Sequence, residues 1–245
     1  MPALDPERAL ARWMPRLVAV WRRHFRRPDG PPTLSPREVK EVAAGIRTLS
    51  LGLTRDRALA GARYMDDPRL LGAYLLFYWP VSYAQARSVL GELLRRPREV
   101  LDLGSGPGPM AFAALDAGAA EVTAADRSAP ALALARALAA EAEEALATRS
   151  WSGGALPEGQ FDAVLLGHVL NELGGTGPAA LARRGELVER AATSGARRDT
   201  SRSAAAAPDT AHARGRARGR RSPDRPAHRA PPADPVRCRA APARG

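Results

Sequence analysis

Val100-Leu-Asp-Leu-Gly-Ser-Gly-Pro-Gly108, followed by Glu121-Val-Thr-Ala-Ala-Asp126, decides how this chain folds. A short apolar run ends in three glycines at alternate positions, Gly104, Gly106 and Gly108. A helix-like segment comes next, and a second apolar run closes on an acid. The pattern predicts a strand, a glycine turn, a helix and a second strand with a carboxylate at its end. Glycines at such a turn let the backbone approach a ligand and bend sharply into the helix. Asp126 stands 22 positions after Gly104, close to where nucleoside-binding folds place a ribose-binding acid. An adenosine-containing small molecule is the expected ligand.

A dinucleotide fingerprint, G-x-G-x-x-G, would need glycine at 109, where this chain has Pro109. The observed G-x-G-x-G, with Asp102 inside the preceding strand, instead resembles the first motif of class I S-adenosylmethionine (SAM) methyltransferases. Pyrophosphate needs free amides at a helix N-terminus, whereas SAM carries an ammonium and a carboxylate. Asp102, or the carbonyls around it, would take the ammonium, and the loop amides the carboxylate. The competing reading is an ordinary strand-to-helix turn with an exposed Asp126.

Outward from the loop, residues 98–190 read as the α/β part. Strands are expected at Glu99–Leu103 and Glu121–Ala125, weakly near Arg149–Trp151, and strongly at Phe161–Leu166. Helices are expected at Pro109–Ala117, Ala129–Thr148 and about Pro178–Arg190. Alternation of this kind implies a parallel, doubly wound sheet with the ligand at the strand carboxyl ends. Residues 1–97 read as a helical domain. Leu10, Trp13, Leu17, Val20 and Phe25 step at three and four, with Pro15 predicting a kink or a later start. Ser35, Pro36 and Glu38 form a capping-box start, with Val39, Val42, Ile46 and Leu49 on one face. Asp67-Pro68 opens an aromatic-rich helix that Pro80 should end, and Ala84–Leu94 supplies another. The aromatics Tyr74, Phe77, Tyr78 and Trp79 suit a buried packing face more than base stacking.

Residues 191–245 break the pattern. They carry thirteen Arg and four Asp, and after Val188 only Val236 is an aliphatic larger than Ala. A tail of this composition buries too little apolar area to order and is expected to be disordered. It holds +9 of the net charge of +11, leaving +2 on residues 1–190, so the basic balance is no argument for a nucleic-acid-binding body. The Arg/Ala/Pro/Gly mixture is also what out-of-frame translation of a GC-rich gene produces. A shifted frame is the favoured account, because a sheet stopping after its fourth strand leaves an apolar edge. Such a chain is expected to be a poor enzyme or none.

Cys238 is the sole cysteine, so the chain offers neither a disulfide nor a cysteine metal site of its own. His24, His212 and His228 lack metal-ligand spacing, and no metal is expected. Absence of a signal peptide or a bilayer-length apolar run makes cytoplasm the default, with no membrane partner. Nothing suggests DNA specificity.

Asp66-Asp-Pro68, Ala73-Tyr-Leu-Leu-Phe-Tyr-Trp-Pro80, Ser82-Tyr83 and Val89-Leu-Gly-Glu-Leu93 run into the glycine loop. With His168-Val-Leu-Asn-Glu-Leu173, they resemble the mitochondrial small-ribosomal-subunit methyltransferase-like family, which has bacterial members. The resemblance spans roughly residues 35–190. It implies a Rossmann-like class I methyltransferase sheet, apparently truncated here, with an N-terminal α-helical domain. It implies a link to small ribosomal subunit assembly and translation, with the subunit or its rRNA as partner. By the same resemblance Gly104, Ser105, Gly106 and Gly108 match the SAM loop, Asp126 the ribose acid, and His168, Asn171 and Glu172 the segment lining the site. Family members carry C-terminal cysteines resembling iron-sulfur ligands, which this chain lacks apart from Cys238. His168 is the one candidate for a catalytic base; its alternative is a satisfied helix-start histidine. No Asn-Pro-Pro-Tyr or Asp-Pro-Pro-Tyr motif of exocyclic-amine methyltransferases appears. Three functions stay open: a ribosome-linked methyltransferase, a SAM-binding assembly factor without turnover, and a small-molecule methyltransferase.

Overall fold

The structure, a computed structural model, describes residues 6–204 apart from 174 and 176. Helices α1 (Pro6–His24), α2 (Pro36–Ser50), α3 (Pro68–Ala73) and α4 (Trp79–Gly91) precede the α/β part. That part runs β1 (Glu99–Leu103), α5 (Pro109–Asp116), β2 (Glu121–Asp126), α6 (Ala129–Ala142), β3 (Leu146–Ser150), β4 (Ala163–Leu165), α7 (Val169–Glu172) and α8 (Pro178–Ala204). Among the described residues the sheet has four strands in the order β3-β2-β1-β4, all paired in parallel. The expected α/β, Rossmann-like class is the one observed.

Successive residues of a strand face opposite sides, and β1 uses both. Val100 joins a core with Trp13 and Leu17 of α1, Trp79 and Tyr83 of α4, Phe112 of α5 and Leu134 of α6. Leu101 and Leu103 join a second core with Trp151, Phe161 and Leu187 of α8. The helical segment is therefore built into the first core. Trp79 and Tyr83 stack at 5.2 Å and 7°, and Trp13 meets Phe112 at 4.8 Å. Asp116, on α5, accepts from the Trp13 indole at 2.8 Å and from Tyr83 and Arg12. These bonds tie three helices at one carboxylate.

Local signals account for most element starts. The Ser35 hydroxyl accepts from the Glu38 amide, while the Glu38 carboxylate accepts from the Ser35 amide at 2.7 Å. Asp67 caps α3 by accepting from the Arg69 and Leu70 amides. On α2, Val42 and Leu49 are buried as expected, whereas Val39 is half exposed.

Several expectations are corrected. Pro15 does not delay α1, which runs from Pro6 through it to His24 with Trp13 and Leu17 buried. Pro80 does not end a helix. A π-helical turn, Tyr74–Tyr78, precedes it, with the Trp79 amide bonded to the Tyr74 carbonyl, and the helical path continues into α4. The wider turn makes room for a ring that cannot donate to the residue four back. Helix α6 stops at Ala142, not near Thr148, because Glu143 turns left-handed at φ 57°. Glu141, Glu143 and Glu144 crowd a helix C-terminus, where negative charge is unfavourable. Leu146–Ser150 then pairs with β2, so β3 lies earlier than Arg149–Trp151. The strand expected at Phe161–Leu166 shrinks to Ala163–Leu165 and is only half buried. Ahead of it, the Asp162 carboxylate accepts the Arg98 and Glu99 amides while the Asp162 amide donates to the Glu99 carbonyl at 2.7 Å. Helix α8, expected over about Pro178–Arg190, is described from Pro178 to Ala204. Ala and Arg are strong helix formers, and no proline intervenes before Pro208. The rest of the expected tail, 205–245 with Cys238, lies outside the described residues.

Candidate functional site

Each residue of the glycine loop is fixed by a bond inside the protein. The Gly104 and Ser105 amides donate to the Ala125 carbonyl at 2.8 and 3.1 Å, and the Gly108 amide to the Ser105 carbonyl at 2.9 Å. The Gly106 amide donates to Asp126 Oδ2 at 2.8 Å, and the Ser128 amide to Asp126 Oδ1 at 2.7 Å. All three glycines have positive φ, a region costly for any side chain. Beneath the loop, the Trp79 indole donates to the Pro107 carbonyl at 3.1 Å. The helical segment thus supports the loop directly.

Asp102 faces away from the ligand side. It is 1% exposed and accepts the Ala111 amide at 3.0 Å, bracing the first turn of α5. Burial pushes its carboxyl up to about 7. Burial raises Asp126 as well, opposed by the amides of Ser128 and Gly106.

A cavity of about 380 Å³ lies at the carboxyl ends of β1, β2 and β4, within the range that small-molecule sites occupy. Gly104, Asp126, His168, Asn171 and Glu172 line it, as do Arg127, Ser128 and Trp151. Asp102, Ser105, Gly106 and Gly108 stand behind its wall. The loop amides already have acceptors inside the protein, and the guanidiniums in the cavity lining are those of Arg57, Arg63 and Arg127. His168 is exposed, starts α7 at φ 62° and makes no side-chain capping bond.

Residues 57–66, between α2 and α3, form the cavity's outer cover. Arg57 donates to the Asn171 carbonyl at 3.1 Å. Arg127 donates to the carbonyls of Gly61, at 3.0 Å, and Ala62. Ser128 donates to Asp66 at 2.9 Å, and Tyr64 to Glu172 at 2.9 Å. Met65 sits against Gly106, where an added Cβ would lie 3.0 Å from its methyl carbon. Every one of these contacts falls on the loop, on the residues after β2, or on the turn after β4. Sequence reasoning missed Arg127, Ser128, Tyr64, Tyr74 and Tyr78 as lining residues. Four of the signals were present: two residues directly follow Asp126, and Tyr74 and Tyr78 lie in a block quoted for the family resemblance, whereas Tyr64 lies outside those blocks.

A parallel sheet with a glycine loop after its first strand, an acid closing its second and a cavity over both is consistent with a Rossmann-like methyltransferase fold. Residues 100–187 match a family model described as a methyltransferase domain. This supports placing that segment in the class I SAM-dependent methyltransferase superfamily, and implies use of SAM. No curated protein matches the chain. The lining fits SAM in kind, with an acid at the end of β2 for ribose hydroxyls and both carboxylates and guanidiniums for the amino-acid end. The iron-sulfur cluster implied by the family resemblance finds no support: among the described residues no group of three or more His, Cys, Asp or Glu is placed to hold a metal ion. Among those residues, too, no helix is long and apolar enough to cross a membrane.

Proposed function

We propose that the chain binds SAM in this cavity and transfers its methyl group to an acceptor of the small ribosomal subunit. Asp126 carries the reading. It closes β2, is fixed by two backbone amides and still reaches the cavity wall. It would hold the ribose hydroxyls, while Glu172 and Arg127, paired at 3.8 Å on the same wall, would meet the ammonium and carboxylate. Bound SAM supplies a methyl group on a positively charged sulfur. The protein's part is to orient that group and exclude water, since positioning accounts for much of the rate of such transfers. His168, exposed at the cavity, would accept a proton only from an acceptor that has one to lose. The ribosomal acceptor is supported by the family resemblance of residues 35–190.

Incubating the protein with labelled SAM and small subunits tests this. Label in rRNA is the expected result. Co-sedimentation without label would point to an assembly factor that binds SAM without turnover. A second reading, methylation of a small molecule, is favoured by the cover that residues 57–66 form, and absence of both label and co-sedimentation would support it.

A further inference from the structure

One end of the cavity is built by the helical segment alone. Tyr74 and Tyr78, the two ends of the π-helical turn, stack with centroids 5.6 Å apart and planes at 25°. Both line the cavity, together with Leu53, Thr54, buried Ser82 and exposed Gln85. Burial pushes the Tyr74 phenol up; a hydrogen bond with Ser82 opposes this, and Glu172, Asp102 and Asp126 add to it. This wall therefore shares the field of the acids at the strand ends, placing it beside the region read as the cofactor site. Phe77 packs edge-on to Tyr78 at 5.1 Å and is 44% exposed; Val81, 45% exposed, lines the cavity. An aromatic and aliphatic rim thus leads in from solvent.

This wall carries phenols, hydroxyls, an amide and a leucine, but no ionised side chain. The guanidiniums of the lining are bonded among the cover and the strand-end residues, Arg57 to the Asn171 carbonyl, Arg63 to Asp66, and Arg127 to Gly61 and Ala62. A phosphate or carboxylate against Tyr74 and Tyr78 would lose hydration with no cation on this wall to replace it. An aliphatic chain would cover the Gln85 amide with nothing polar to meet it, the Ser82 hydroxyl being already bonded to Tyr74. A flat ring with nitrogen or oxygen at its edge meets both demands, because aromatic faces stack with little regard to ring identity.

We propose that this end is the acceptor subsite and takes a planar, uncharged heteroaromatic ring, stacked on Tyr78 with Gln85 at its polar edge. The assignment rests on the cofactor reading of the other end. Such a ring comes either free or as a base in an RNA strand, and the subsite chemistry is the same.

The test loads the full chain with S-adenosylhomocysteine and titrates quinoline, cytidine and a cytidine octaribonucleotide, read by saturation-transfer NMR. All three should bind. Tyr78→Phe should keep their affinities within about twofold, while Tyr78→Ala should weaken them at least about tenfold. Gln85→Ala, at an exposed position that threatens the fold less, should weaken cytidine but not quinoline if its amide meets the substituted edge. Affinity for S-adenosylhomocysteine should be unchanged throughout. Tighter binding of the octamer than of cytidine identifies an RNA base as the source, and equal binding a free ring; either supports the subsite. No ring binding to wild type, or ring binding indifferent to both Tyr78→Ala and Gln85→Ala, overturns it. Failure of S-adenosylhomocysteine to bind overturns the cofactor reading instead, and the ring titrations on the unloaded protein still decide the subsite.

Discussion

The Tyr64 hydroxyl donates to Glu172 Oε1 at 2.9 Å, joining the cover of the cavity to the turn after β4. Tyr64 is 6% exposed. Burial and the neighbouring carboxylate both raise its phenol, and burial raises Glu172 in turn. The proton therefore stays on Tyr64, and the bond is a neutral donor serving a partly desolvated acid.

Removing that donor should cost stability. Tyr64→Phe is expected to lower it by about 1–2 kcal/mol, the usual cost of orphaning a buried acceptor. In Glu172→Gln the same change should cost less, with a coupling of roughly 0.5 kcal/mol or more in a double-mutant cycle by denaturant unfolding. Strict additivity would mean that the two groups do not meet in solution.

Asp126 has two duties, to the loop and to the ligand. Asp126→Ala strands the Gly106 and Ser128 amides, so a lower melting temperature and at least about tenfold weaker S-adenosylhomocysteine binding are expected. Asp126→Asn keeps one oxygen and should retain more of the stability than of the affinity. Calorimetry on the three proteins measures both, and equal affinity in all would remove the ribose assignment.

Arg127 holds the cover through the Gly61 and Ala62 carbonyls. Arg127→Ala should free a segment that contains Arg57 and Arg63, both exposed, and trypsin should cut there several-fold faster. S-adenosylhomocysteine should slow the cut in wild type. An unchanged cleavage rate would show that other contacts suffice to hold the cover.

Stability should respond to pH in two opposite ways. Buried Asp102 keeps its proton up to about pH 7 in the folded chain, whereas an unfolded aspartate loses it near 3.8. The folded state thus binds more protons in between, and stability falls as pH rises across that window. Asp126 and Glu172, also raised, act in the same direction. Glu38 is opposite: Arg22 and the Ser35 amide hold it down to about 2, against 4.5 ordinarily. Its contribution is present above 4.5 and disappears as pH falls towards 2. Asp102→Asn, which still offers an oxygen to the Ala111 amide, should flatten the decline between about pH 4 and 7. A decline of unchanged size would exclude Asp102 as its source.

Much of the architecture was legible because it is locally encoded. Glu99–Leu103, the glycine turn and the acid closing β2 depend on period-two burial and on glycine, and the capping box at Ser35 is a matter of four residues. The errors arose where distant partners decide. Nothing local in Phe161–Leu166 announces that the Asp162 carboxylate will bond the Arg98 and Glu99 amides, or that the strand will span only Ala163–Leu165. Likewise the fate of the Gly104, Ser105 and Gly106 amides depends on Ala125 and Asp126 arriving from the next strand. Within the site, the acids and glycines were visible, but the cover at 57–66 was not, since its bonds span more than sixty residues.

The π-helical turn at Tyr74–Tyr78 has a consequence for which kinds of mutation this stretch tolerates. Each residue of an α-helix advances the chain by about 100° around its axis, so one residue gained or lost there rotates everything beyond it. Trp79 and Tyr83 would swing out of the shared core, and Tyr74 would lose its alignment with Tyr78. Side chains here can be exchanged one at a time, whereas a single-codon insertion or deletion disrupts loop support, core and cavity together. Length polymorphism should therefore be confined to segments such as 26–34, where no helix carries the phase forward.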